Sequence, residues 1–260
     1  MKILKITFLL LIILSSATFI IFRYFGNQVE SNWFNDNLRD KMIYYPLLRG
    51  MYGLHWDGDA KYDYLLDHKF QKMIVEIDAI QDCQLALGDL ADLQAKIEAL
   101  VDKPQGVEVI MSEKIDDDDM ILLESNDLDR AMENLSPRTR DYKTNGQVAA
   151  LHVLCVDHNR ARPDSIGLTY KESTILLFYD RIKEVTINNP ETLPVYLTTT
   201  ILHEFGHQLG LDHLENDQCI MAAEVESPGN TAGAIENIPQ QFCQTSLDTL
   251  ETYKANFKDN

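Results

Sequence analysis

The chain has 260 residues, 45% of them hydrophobic and 25% charged, an ordinary globular composition with enough apolar material for one or two packed domains. Acidic side chains number 41 against 23 basic ones, for a formal charge of −18. That balance excludes a general electrostatic footprint for nucleic acid; it suits basic substrates, but is more often only a solubility feature.

Residues 1–25 read as a targeting or anchoring segment. Lys2 and Lys5 precede an uncharged run from Ile6 to Phe22, near the lower limit for spanning a bilayer. Ser15-Ser16-Ala17 offers a small-residue cleavage site, but Thr18 to Phe22 carries the apolar run past it. An uncleaved signal anchor is expected, with a cleaved signal peptide and a secreted chain as the alternative. The lysines hold the amino end in the cytoplasm, so the rest of the chain faces outward. Residues 26–69 follow as a juxtamembrane or propeptide-like segment without clean periodicity. Within it Trp56-Asp57-Gly58-Asp59 reads as an Asp-Gly turn.

Regular pattern begins at residue 70. Lys72 to Ile80 alternates polar and apolar residues and predicts a strand. Asp89 is a candidate cap for a helix whose stripe is Leu90, Leu93, Ile97, Leu100 and Val101. Pro104 and Gly106 break it, and Val107 to Met111 predicts a second strand, which makes a parallel crossover. The aspartates 116–119 lack the spaced ligands and glycine of a calcium loop and read as solvated. Asn126 to Leu135 predicts a short helix, and Pro137 to Gly146 a polar loop. Gln147 to Val156 is apolar on both faces and predicts a central strand, with His152 inside it as a core histidine. Ser165 to Tyr170 and Thr174 to Tyr179 read as further extended segments.

The stretch from His203 to His213 carries the chemistry. Leu197, Ile201, Phe205 and Leu209 recur every four residues, with Leu202 beside them, as the core stripe of a helix. Pro194 suits its first turn, and Asn188, Asn189 and Thr192 are candidate caps. His203 and His207, four apart and off the stripe, lie one turn apart on one face, where both imidazoles reach a single ion. Glu204 is placed to contact a water beside that ion. Gly210 permits the left-handed backbone that ends a helix, and a sharp exit there brings His213 round as a third ligand. Three protein ligands with an open fourth position are the catalytic rather than the structural arrangement of zinc.

His203-Glu204-x-x-His207-x-x-Gly210-x-x-His213 resembles the metzincin clan of zinc metallopeptidases, and Cys219-Ile220-Met221-Ala222 looks like its methionine turn. Spacing from His213 through Cys219 to Met221 is similar to that of archaemetzincins. The pattern departs from theirs in having Leu214 directly after the third histidine and Cys243 without the second cysteine of a Cys-x-x-Cys. The resemblance implies an α+β, zincin-like catalytic domain over residues 70–260, with a mixed, mostly parallel sheet and an active-site helix. It further implies one catalytic Zn²⁺ on His203, His207 and His213, Glu204 as general base and acid, and a peptide or protein substrate. In that order of elements Thr174 to Tyr179 takes the place of an antiparallel edge strand lining the cleft; an internal strand is the plainer reading. Glu224 to Asn237 takes the place of one wall of a specificity pocket. Pro239 to Phe257 predicts the last helix. Trp56 to Asp59 is similar to the astacin propeptide segment, which makes Asp59 a candidate latency residue. Four cysteines allow three pairings. Cys219 in the methionine turn is expected to pair with Cys243 and so leave Cys83 with Cys155, unless Cys155 is a free buried thiol. Two other readings stand beside the endopeptidase: a catalytically silent, membrane-tethered binding protein that keeps the metal site, and a zinc hydrolase of non-peptide amides. The intact Glu204 argues against the first.

Overall fold

A computed structural model of the chain describes residues 60–67, 70–80, 83, 85–115, 148–157, 163–170, 173–216, 218–226 and 237–258, with a few isolated positions before residue 60. The expected anchor over 1–25 (apart from residues 16 and 18–20), Asp59, the aspartates 116–119, the helix over 126–135 and the loop over 137–146 lie outside the described residues. Among the described residues no helix is long and apolar enough to cross a membrane. The chain divides into two compact units, Met1–Asp59 and Ala60–Asn260.

The second unit opens with helix α1 (Ala60–Leu65), inside the segment expected to precede the domain. Tyr64, Leu65 and Leu66 are buried in the unit's own core. The Lys103 ammonium pins the end of α1. It donates to the carbonyls of Asp63 at 2.7 Å and Phe70 at 2.8 Å, and to that of Leu66. Strand β1 (Lys72–Ile80), helix α2 (Leu87–Glu98) and strand β2 (Val107–Ile115) then form the expected parallel crossover. The helix begins two residues before Asp89. Asp89 stands in its first turn, where the carboxylate accepts the N–H of Ala86 at 3.2 Å, so it supports the cap without being the cap.

Strand β3 (Val148–Val156) is buried along all nine residues, as a strand with parallel neighbours on both sides and covered faces must be. His152 lies within it, 1% exposed, its Nε2 2.9 Å from Asp78 on β1, a core histidine as expected. Among the described residues, strands β4 (Gly167–Tyr170) and β5 (Thr174–Phe178) join a sheet of order β2-β1-β3-β5-β4, in which only the β4–β5 pairing is antiparallel. The edge therefore belongs to β4, one strand earlier than the resemblance placed it. The segment Thr174–Phe178 is internal, because its five residues are all buried and its other side pairs in parallel with β3.

Helix α3 (Tyr179–Thr186) follows β5 without a break and was not expected. Phe178 supplies no side-chain cap, so the usual start signal is missing. The i,i+3 pair Ile182 and Val185 is nevertheless buried on one face. A 3₁₀ turn (Pro190–Thr192) leads into helix α4 (Leu193–Gln208). Leu197, Ile201, Leu202, Phe205 and Leu209 are at most 1% exposed, and Phe205 meets Tyr64 edge to face at 5.8 Å. Each such side chain removed from water contributes roughly 1.5–3 kcal/mol. Thr192 holds the N-cap position, yet its hydroxyl donates backward to the Asn189 carbonyl at 2.7 Å, so it closes the preceding turn instead of capping α4. After the short helix α5 (Ala223–Glu226), the last helix α6 runs Gln244–Lys258, starting five residues later than its pattern suggested. Disulfides join Cys83 to Cys155 and Cys219 to Cys243.

Candidate active site

Helix α4 ends at the site, and the way it ends builds the site. Gly210 has φ +83°, the left-handed region open to glycine. The Leu211 N–H donates to the Gly206 carbonyl at 3.0 Å and the Gly210 N–H to the His207 carbonyl at 2.9 Å, the two bonds of a Schellman motif. The chain leaves the helix in a tight reversal. His213, six residues past His207, thereby arrives beside the two helical histidines.

The three Nε2 atoms then face one another. They are 3.2 Å apart between His203 and His207, 3.1 Å between His207 and His213, and 3.2 Å between His203 and His213. Among the described residues this is the one group of His, Cys, Asp and Glu side chains close enough to share an ion. The opposite nitrogens fix the tautomers. His203 Nδ1 lies 2.7 Å from the Ile220 carbonyl, and His207 Nδ1 lies 2.8 Å from the Leu211 carbonyl. Carbonyls only accept, so both Nδ1 atoms carry the proton and both Nε2 atoms present a lone pair. Two lone pairs at this range repel each other. Nitrogens set tetrahedrally about 2.0–2.1 Å from a shared zinc stand about 3.3–3.4 Å apart, close to the spacing found here. The residues fit the ion.

Burial is graded across the triad: His203 is fully buried, His207 half-buried and His213 exposed. The site has a closed floor and an open mouth. Burial pushes His203 down from its ordinary 6.5 to about 4; the Ile220 carbonyl resists, and the neighbouring histidines reinforce the fall. The unfolded chain takes up this proton below about 6.5, and the folded protein refuses it until about 4. The associated stability is therefore present above that window and lost as pH falls through it. Denaturant melts of metal-free protein at pH 7 and pH 5 check this, with the lower midpoint expected at pH 5. Equal midpoints would mean that His203 is protonated in the fold as readily as in water.

Glu204 is 1% exposed. The Thr169 hydroxyl, on edge strand β4, lies 2.8 Å from its Oε2 and 2.9 Å from its carbonyl oxygen. Met221 is fully buried under the helix. A Cβ on Gly206 would collide with Met221 Sδ, so this helical glycine is the space in which the methionine turn sits. That turn is tied on three sides: the Leu214 N–H donates to the Met221 carbonyl at 2.8 Å, the Ile220 N–H to the Gln241 carbonyl at 3.0 Å, and Cys219 is bonded to Cys243.

The structure thus brings together His203, His207 and His213, with Glu204 next to them in the helix and Met221 and the Cys219–Cys243 bond behind. Sequence reasoning missed Thr169, Gly167 and the two carbonyl groups. Gly167 and Gly206 carried a usable signal, since an isolated glycine inside a strand or helix often marks a close approach.

Residues 114–237 match the family model described as Matrixin. No curated protein matches the chain. Among solved structures, a zinc-dependent peptidase from Methanocorpusculum labreanum is 16% identical, over 68% of this chain and 99% of its own, with a TM-score of 0.46. Archaemetzincin from Methanopyrus kandleri is 14% identical over 71% and 97%, with a TM-score of 0.48. Archaemetzincin from Archaeoglobus fulgidus, complexed with malonate, is 15% identical over 68% and 99%, with a TM-score of 0.43.

Proposed function

We propose that this metzincin-like zinc metallopeptidase is an endopeptidase that uses one catalytic zinc and Glu204 as its proton shuttle. The observation that carries the reading is the convergence of three imidazole Nε2 atoms, each within 3.2 Å of the others, one residue from a buried carboxylate. Zinc held there supplies a Lewis acid that polarises a carbonyl and lowers the pKa of water to about 7. His203 and His207, locked in one tautomer by the Ile220 and Leu211 carbonyls, would hold the ion through their Nε2 lone pairs. Glu204 takes the proton that the attacking water gives up and passes it to the departing amine.

Strand β4 supports a peptide substrate over other amides. Among the described residues it is the sheet's edge, pairing with β5 on one side only, and it carries Thr169 against Glu204. An extended peptide laid along its other side gains main-chain hydrogen bonds and brings an internal bond, not a terminus, to the zinc. A single ion is the expectation, since the two cysteines behind the site are spent on each other. With the segment 1–25 read as an anchor or a cleaved signal, the catalytic unit would face outside the cytoplasm, and two disulfides, which persist in such a compartment, support that reading.

The test is a mixed peptide library incubated with zinc-loaded protein and read by mass spectrometry. Internal cleavage of peptides longer than the cleft is expected. Removal of terminal residues alone, or hydrolysis of small amides with every peptide intact, would overturn the endopeptidase.

A further inference from the structure

Glu204 is the group that must swing least if it is to take a proton at one place and return it at another, yet its own helix does not fix its carboxylate. A glutamate side chain has three rotatable bonds, and the helix sets only where the Cβ points. What fixes it comes from outside the histidine motif. In β4 alternate residues share a face, so Gly167 and Thr169 point the same way. Both meet Glu204. The Thr169 hydroxyl is within 2.8 Å of Oε2. A Cβ on Gly167 would stand 2.9 Å from Glu204 Oε1, 3.2 Å from its Cγ and 2.5 Å from Thr200 Cγ2.

We infer that edge strand β4 is the positioning element for the Glu204 carboxylate, with the Thr169 hydroxyl as its hydrogen-bond donor and Gly167 as the gap it fits. The inference rests on Glu204 being the proton shuttle. Thr169 has one hydroxyl proton and two acceptors in reach, both belonging to Glu204. Oε2 is the nearer of the two, at 2.8 Å against 2.9 Å for the carbonyl oxygen, so the proton goes to Oε2. Oε1 is then the oxygen turned toward Gly167, and the absent side chain there leaves it room to keep that rotamer. Thr169 is a positioning residue: it acts through Glu204. The strand proposed to hold the peptide also holds the base, so the scissile bond and the proton acceptor share one rigid frame.

Wild type, T169V, T169S, G167A, E204Q and the double variant T169V/E204Q are compared on one peptide taken from the library, with zinc content and melting temperature recorded for each. T169V is expected to keep one zinc and an unchanged KM while kcat falls about 10- to 100-fold, the scale of a small misplacement of a reacting group. T169S, which keeps the hydroxyl, restores kcat to within about threefold of wild type. G167A lowers kcat with zinc retained, through the other contact, and stands in if T169V does not fold. In the double variant the T169V loss disappears, because the carboxylate it orients is already gone. A T169V that melts earlier but turns over as fast as wild type would make the contact merely structural. The same loss in both backgrounds, or in T169S as in T169V, would equally overturn the inference. If E204Q itself turns over normally, it is the shuttle assignment that fails.

Discussion

Glu204→Gln keeps its zinc and loses most of its turnover, by about 10²–10⁴-fold, the usual contribution of a positioned proton-transfer group. The amide is nearly the same size as the carboxylate and can still accept from the Thr169 hydroxyl, which lies 2.8 Å from Oε2. The helix and the three imidazoles are untouched. What the amide cannot do near neutrality is take a proton and give it back. Metal analysis and kcat on the same preparation separate the two effects. A variant with full zinc and normal hydrolysis would show that the proton moves by another route. A variant that loses its zinc as well would make Glu204 part of the ion's support.

Chelation abolishes hydrolysis completely, and one equivalent of zinc restores it. The largest second effect expected from a substitution is that of His203→Ala, which neither holds zinc at one equivalent nor recovers with it. His203 is the fully buried ligand, on the floor of the site. Its loss removes one of three donors and strands the Ile220 carbonyl, which lies 2.7 Å from its Nδ1. A buried acceptor left alone costs about 1–3 kcal/mol. Zinc should also raise the wild-type melting temperature, since an ion at a thousand times its Kd adds about 4 kcal/mol to the folded state. The His203→Ala variant should show no such rise. If it does, the ion binds somewhere other than the histidine triad.

Much of this site is legible in the sequence because it is local. His203, His207, Gly210 and His213 fall within eleven residues, and helix geometry plus one left-handed glycine is enough to bring them together. The central strand was equally plain, since nine buried residues leave a nearly unbroken apolar run. Contacts between distant segments were harder. Thr169 and Glu204 are 35 residues apart, and a lone threonine in a short strand carries no mark of its partner. The edge was misplaced by one strand because Ser165–Tyr170 and Thr174–Tyr179 look alike as extended segments. Only pairing distinguishes them, and β5 is internal by virtue of its parallel register with β3. Helix α3 was missed for the opposite reason: it starts directly at the end of a strand, with neither cap nor breaker between.

The hydrogen bonds that set the two helical histidines come from the main chain, at Ile220 and Leu211. No substitution at either position removes a carbonyl. The orientation of both imidazole rings is therefore shielded from point mutation in a way that it would not be with a carboxylate partner. A side-chain partner can be lost in one codon change, whereas these two are lost only if the backbone moves. The vulnerable positions are instead those that hold the backbone in place: Gly210, whose φ of +83° strains any residue with a side chain, and the Cys219–Cys243 bond beside Ile220. A mutational scan of residues 203–221 should show tolerance at Leu211 and Ile220 to apolar replacements that fit the core, set against intolerance at the glycine between the helix and its third ligand.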